Sequence, residues 1–387
     1  MTKLAIITTH PIQYYAPLFK LMAQSDIVAL KVFYTWGNIA KNKIDPGFGK
    51  PIEWDIPLLD GYEYTFVKNI AQQPGSHHFW GIQNPTLLRE VKEYNPDAIL
   101  IIGWAYRSHL RAIIHFAGLV PLYFRGDSHL IDNQHTIRHS VRKWFLRWVY
   151  SHFYKIFYVG HYNREYFLHF NIKQHRLVWA PHAIDNERFA DNNNTYYTQA
   201  EAIRTKLGIK NTHKVILFAG KLEPKKNPIL LLKAFLKVNR HDVHLIFVGN
   251  GVLENKLKEM AHLTDNIHFM DFQNQTQMPV IYRMCDIFCL PSKGPNETWG
   301  LAVNEAMACG KALLVSDKCG CSYDLVMNDG NGYIFKSDDI QSLTKKLQWM
   351  LGNSDLKMMG DKSLQIIKNW NYEKLSNIII NTIVSLK

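Results

Sequence analysis

Short β-branched or apolar runs alternate with stretches of helical period along all 387 residues, and this alternation limits the fold more than any other feature. A strand that returns through a helix must lie parallel to its predecessor. Strands are expected over 4–9, 28–34, 98–103, 121–125, 155–160 and 177–181 in the first half. In the second half they are expected over 215–218, 244–248, 267–272, 287–291 and 312–316. Helices fit between them, for example over 86–94 and 108–117. Residues 191–200 are polar and without pattern, as in a linker, and 339–387 reads as helical. The expected organisation is two doubly wound α/β domains, 1–190 and 191–365, with a last helix over 366–387 folding back on the first. No sequence repeat links them. In such sheets ligands sit beyond the C-terminal strand ends, so two sheets facing each other would enclose a cleft.

The hydrophobic fraction of 47% and charged fraction of 20% suit a globular chain with ordinary cores. A formal charge of +12 and a pI near 9.3 favour anionic ligands without choosing among them. The charge is spread along the chain and no nucleic-acid motif accompanies it, so no nucleic-acid partner is expected. The apolar run at the start is too short for a signal or a membrane span, which points to a cytoplasmic protein. All five cysteines lie in the second half, and an odd number argues against a disulfide framework. Cys319-Gly-Cys321 is a poor zinc half-site, so neither a metal nor a cofactor is expected.

From Leu301 to Cys309 the chain is apolar nearly all round a helix, interrupted only by Asn304 and Glu305, with Gly310 as a stop. Glu297 precedes that helix. A buried carboxylate costs several kcal/mol unless something pairs with it. Glu305 lies roughly 9 Å further along the axis than Trp299, and between the glutamates is a helix N-terminus, an anion seat. That order suits a nucleotide-diphosphate sugar. Two glutamates merely capped or salt-bridged are the bland alternative. Upstream, Gly220-Lys221-Leu-Glu-Pro-Lys225-Lys226 follows a strand and places three lysines where phosphates bind; a solvated basic turn would look the same. Gly249 and Gly251 close the next strand and permit close backbone approach, though such glycines often serve packing alone. Phe272, in Asp271-Phe272-Gln273-Asn274, occupies the equivalent edge and could line a base pocket.

Taken in order, these motifs resemble the retaining, nucleotide-sugar-dependent glycosyltransferases of group 1, family four, with the GT-B fold. The resemblance is carried by Phe218-Ala-Gly220-Lys221, Phe247-Val-Gly249-Asn-Gly251, Asp286-Ile-Phe-Cys-Leu-Pro291-Ser292, the Glu297-x7-Glu305 element and Asp329-Gly-Asn-Gly332. It is weaker in the first half, at Thr9-His10-Pro-Ile-Gln13 and Pro181-His-Ala-Ile184-Asp185. It implies two Rossmann-like domains facing across a cleft, an acceptor side and a donor side. It also implies transfer of a sugar to a saccharide or lipid-linked saccharide with retention, without metal since no Asp-x-Asp signature appears. Lys221 and Lys226 would hold the donor diphosphate, Glu297 would sit near the donor hexose and Glu305 at the ribose. Trp299, Gly300 and Leu301 would offer backbone N–H groups. Lys221 stands where arginine is usual, Asn227 where glycine is usual, and Cys321-Ser-Tyr-Asp324 replaces the usual small-Pro-Glu turn.

The first half offers Asp127 and His129, in Arg125-Gly-Asp127-Ser-His129, as groups for the transferred sugar or acceptor; His10 and Gln13 are rival candidates. The stretch 135–158 mixes cations with tryptophans, as in helices that touch anionic lipid at the inner face of a membrane, but also as in a domain helix with solvated charges. A non-catalytic GT-B-like protein that binds sugar nucleotide or lipid is the competing function.

Overall fold

The computed structural model describes residues 1–37, 44–45, 50–51, 53–131, 138–191, 193–295 and 297–385. Over these residues the chain forms two compact units. Unit 1 comprises Met1–Lys43, Ile56–His182 and Tyr372–Lys387; unit 2 comprises Ile44–Asp55 and Ala183–Asn371.

Unit 1 is built on β1 (Thr2–Thr8), β2 (Val28–Tyr34), β5 (Glu63–Phe66), β6 (Ala98–Ile102), β7 (Leu122–Arg125), β8 (Lys155–Tyr158) and β9 (Leu177–Trp179); β3 (Ile44–Asp45) and β4 (Lys50–Pro51), a separate antiparallel pair, belong to unit 2. Its sheet runs β5-β2-β1-β6-β7-β8-β9, all parallel. Leu4 to Ile7 are fully buried, as a central parallel strand covered on both faces must be. The strand order reverses between β1 and β6, so loops leaving those two strands diverge and open a crevice. The helix Tyr372–Val384 packs on the helix Ala16–Ala23 and buries Leu375, Ile379, Ile380 and Ile383.

The main sheet of unit 2 comprises β10 (Lys214–Ala219), β11 (Val243–Val248), β12 (Ile267–Met270), β13 (Ile287–Leu290), β14 (Ala312–Ser316) and β15 (Gly332–Phe335), again all parallel, in the order β12-β11-β10-β13-β14-β15. Here the reversal falls between β10 and β13.

Two features depart from expectation. Part of the segment expected as a linker is the helix Thr195–Lys206. Its hydrophobic pattern is weak, and a buried arginine ties it down instead: Arg204 donates to the carbonyls of Met284 (3.0 Å) and His213 (2.9 Å). Residue 192 of that segment lies outside the described residues. The edge strands β5 and β15 also went unanticipated. Each has four residues, too few for a clear alternation, and they are held by register with Lys31–Tyr34 and Leu313–Ser316.

Candidate functional site

Lys226 and Glu297 are 71 positions apart in sequence, yet Lys226 Nζ lies 2.6 Å from Glu297 Oε2. The fold joins them at the β10/β13 reversal. β10 ends at Ala219 and leads through Gly220 and Lys221 into the turn Pro224–Lys226; β13 ends at Leu290 and leads through Ser292 to Glu297. Asn227 follows Lys226 with a left-handed φ of 53° and starts the helix Pro228–Val238, turning the chain just after the lysine. The Lys226 side chain is 18% exposed and Glu297 is 5% exposed. A solvated basic turn therefore does not describe Lys226.

Ser292 Oγ donates to Glu297 Oε2 at 2.8 Å, so this oxygen holds both a hydroxyl and an ammonium. Burial pushes the Glu297 carboxyl up, but Lys226 and Ser292 outweigh it and leave the pKa below the ordinary glutamate value. Burial likewise pushes the Lys226 ammonium down, and Glu297 overturns that, leaving it above the usual lysine value. Both groups are charged across the neutral range.

The helix Leu301–Ala308 starts after Gly300, whose φ of 98° suits glycine. A Cβ there would come within 2.9 Å of Leu290 Cδ2. The first-turn N–H groups of such a helix have no carbonyl one turn back. Trp299 turns its side chain inward: Nε1 donates to Asn304 Oδ1 at 2.8 Å, and the ring lies 5.3 Å from that of Trp370. Asn304, one of the two polar interruptions, thus positions the tryptophan. The other, Glu305, is 3% exposed and accepts from Tyr282 Oη at 2.8 Å. Ser292 and Asn304 stand in the motifs without a role attached, and nothing in the sequence points to Tyr282, since a hydroxyl on a separate element leaves no local pattern.

Gly249 and Gly251 have a packing reason. A Cβ on Gly249 would fall 2.2 Å from the Gly220 carbonyl oxygen, and one on Gly251 2.5 Å from that of Leu222. Between them, Asn250 Oδ1 accepts from the Phe272 N–H at 3.0 Å and Nδ2 donates to Asp271 Oδ1 at 2.8 Å, which fixes the Phe272 loop. The Phe272 ring stands edge-on to Trp54 at 6.2 Å. Glu53 to Asp55 are held there by Asn274 Nδ2, which donates to the Glu53 carbonyl at 2.6 Å, and by the Thr276 N–H, which donates to Asp55 Oδ2 at 3.2 Å.

The other candidates fall in unit 1. Arg125, at the end of β7, is 1% exposed and donates to the carbonyls of Ala180 and Pro181, each at 2.9 Å. Asp127 Oδ2 lies 3.8 Å from His182 Nε2, and both Arg125 and Asp127 act electrostatically on the Tyr15 hydroxyl. His129 Nδ1 accepts from the Ile131 N–H at 3.3 Å. His10 shares a 2.9 Å hydrogen bond with Thr9 Oγ1 and sets its ring edge-on to Trp36 at 4.9 Å; burial lowers its pKa to about 4. Gln13 lies in the turn before the helix Ala16–Ala23. The structure therefore gathers Lys226 and Glu297 into one contact, and groups Asp127 with Arg125, Tyr15 and His182. His10 and His129 make other contacts.

Residues 199–369 match the family model of glycosyl transferases group 1. An uncharacterized glycosyltransferase of Haemophilus influenzae is 29% identical over 206 residues, covering 51% of this chain and 57% of that protein. The chain spans less than two thirds of the length of this relative, and about a third of a Methanocaldococcus jannaschii glycosyltransferase of 28% identity. Among solved structures, a glycosyltransferase from Rickettsia africae aligns with a TM-score of 0.75 at 14% identity, over 100% of this chain and 99% of that one. Anabaena HepE in complex with UDP and glucose aligns at 0.72 and 16% identity, over 100% of each. Likeness at this level establishes a GT-B fold of two parallel-sheet α/β units.

Proposed function

We propose that the protein is a metal-independent, retaining glycosyltransferase that moves a sugar from a nucleotide-diphosphate donor to a saccharide or lipid-linked saccharide. The observation that carries this reading is the Lys226–Glu297 pair at the strand-order reversal of unit 2, beside the start of the helix Leu301–Ala308. A lysine charged at neutral pH and low exposure, close to the N-terminus of a helix, is a placement that favours an anionic diphosphate. HepE, a protein of like fold, binds UDP and glucose.

In this reading Lys226 and Lys221 neutralise the departing diphosphate, supplying the charge stabilisation that a metal gives in other transferases. Glu297 faces the donor hexose and Glu305, held by Tyr282, accepts from the ribose hydroxyls. The bond from the anomeric carbon to the phosphate oxygen breaks while the acceptor oxygen bonds that carbon from the same face. The acceptor proton passes to the departing phosphate oxygen. Asp127, His129, His10 and Gln13 are the groups offered to the acceptor and transferred sugar, with Arg125 and His182 positioning Asp127.

A panel of nucleotide sugars screened by thermal unfolding, followed by assay of nucleoside diphosphate release with and without chelator, tests the reading. One donor should stabilise the protein, by about 2.7 kcal/mol at a hundred times its dissociation constant. Its turnover should survive chelation. Stabilisation without any release would favour the non-catalytic binding protein instead, and no stabilisation by any donor would remove both.

A further inference from the structure

The helix Arg138–Ser151 carries two apolar stripes, and only one of them meets the core. Leu146, Val149 and Tyr150, with Phe153 just past the helix end, are buried in the unit 1 core. Val141, Trp144, Phe145 and Trp148 have the same spacing but are 74%, 70%, 38% and 44% exposed. Five residues separate the stripes, which places them about 140° apart round the helix. An ordinary surface helix is polar on that outer side. Phe145 leans on Trp104, with ring centroids 5.6 Å apart, and the Arg147 guanidinium lies over the Trp144 ring at 5.7 Å. Arg142 and Arg147 are exposed and Lys143 is half-buried. From 133 to 164 the sequence contains six cations and no carboxylate. Of the stretch read as basic and aromatic, residues 135–137 lie outside the described residues.

We propose that the outer face of this helix docks on an anionic lipid surface, with Trp144 and Trp148 in the headgroup layer and Arg142, Lys143 and Arg147 against lipid phosphates. Tryptophan combines an apolar body with an N–H donor and favours that layer, and the cations add attraction to negatively charged lipid. Among the described residues no helix is long and apolar enough to cross a membrane, so the contact is one of lying on the surface. A second copy fits less well. A two-fold contact through this face would set its cations against themselves, and its own stretch, 133–164, holds no carboxylate to balance them.

The test is co-sedimentation of the full chain with vesicles of phosphatidylcholine alone or with one third phosphatidylglycerol. Binding should appear on the anionic vesicles and weaken with salt. Lys143→Ala/Arg147→Ala should reduce it on the order of twentyfold, at roughly fivefold per cation. Trp144→Ala/Trp148→Ala should reduce it by about tenfold or more. If that pair fails to fold, Trp148→Cys labelled with an environment-sensitive dye gives the same information, because all five native thiols are buried. A blue shift on anionic vesicles is then expected. Protein left in the supernatant at low salt, variants that bind like the parent, or a dimer that disappears in the tryptophan variants would each overturn the proposal.

Discussion

Asn227 stands where glycine is usual in the resembling family, and its φ of 53° explains both residues. Glycine takes a left-handed conformation without strain, and asparagine is among the few others that tolerate it. Asparagine also adds a bond, since Nδ2 donates to Asp338 Oδ1 at 3.1 Å. Asn227→Val should therefore cost about 1–2 kcal/mol from the backbone alone, visible as a lower urea midpoint, whereas Asn227→Gly should stay near the parent. Equal losses would mean that the Asp338 bond dominates. The Lys226–Glu297 pair makes a sharper case. Lys226→Ala should lower turnover of the proposed reaction by about two to three powers of ten. It should also strand a buried carboxylate, at about 3–5 kcal/mol. Lys226→Met/Glu297→Gln should recover most of the stability and none of the turnover, and recovery of neither would show that the pair is not the unit of stability. The motifs made Lys226 and Glu297 legible as candidates. Their contact was not legible, because nothing local signals an ion pair across two loops.

At the level of elements, three histidines cross the starts of adjacent strands as a ladder. His213 Nδ1 lies 2.9 Å from His244 Nε2, and His244 Nδ1 lies 3.0 Å from His268 Nε2. Each N···N contact needs exactly one proton, so the row is satisfied when its members are neutral. Burial, followed by repulsion from His268 and His213, lowers His244 to about 4. Burial does the same to His109, which bridges the Gly103 carbonyl and Thr35 Oγ1, and to His10. The unfolded chain takes up these protons from near 6.5, the folded chain only near 4. Stability is therefore complete above pH 6.5 and drains as pH falls toward about 4. Urea midpoints measured across that range should fall steadily, and a flat profile would contradict the buried neutral state. The ladder also illustrates which parts of the fold sequence can disclose. Central strands such as β1 and β11 hold apolar runs, Leu4–Ile7 and Leu245–Val248, and stand out. Pairings across strands, the short edges β5 and β15, and the helix Thr195–Lys206 depend on partners distant in the chain, so periodicity does not reveal them.

For the molecule as a whole, the relevant fact is that unit 1 is discontinuous. Its helix Tyr372–Val384 supplies four apolar side chains that cover the helix Ala16–Ala23, at roughly 1.5–3 kcal/mol each as an upper estimate. Truncation after Asn371 should therefore loosen unit 1 and leave unit 2 able to bind a nucleotide. Limited proteolysis and calorimetry would separate the two effects, and a truncated chain with an intact, protease-resistant unit 1 would count against this accounting. During synthesis, the same topology imposes an order of events. The seven strands of the first body leave the ribosome well before the piece that seals them, with Ala183–Asn371 of the second body translated in between. The apolar flank of the helix Ala16–Ala23 that this piece covers stays open for that interval.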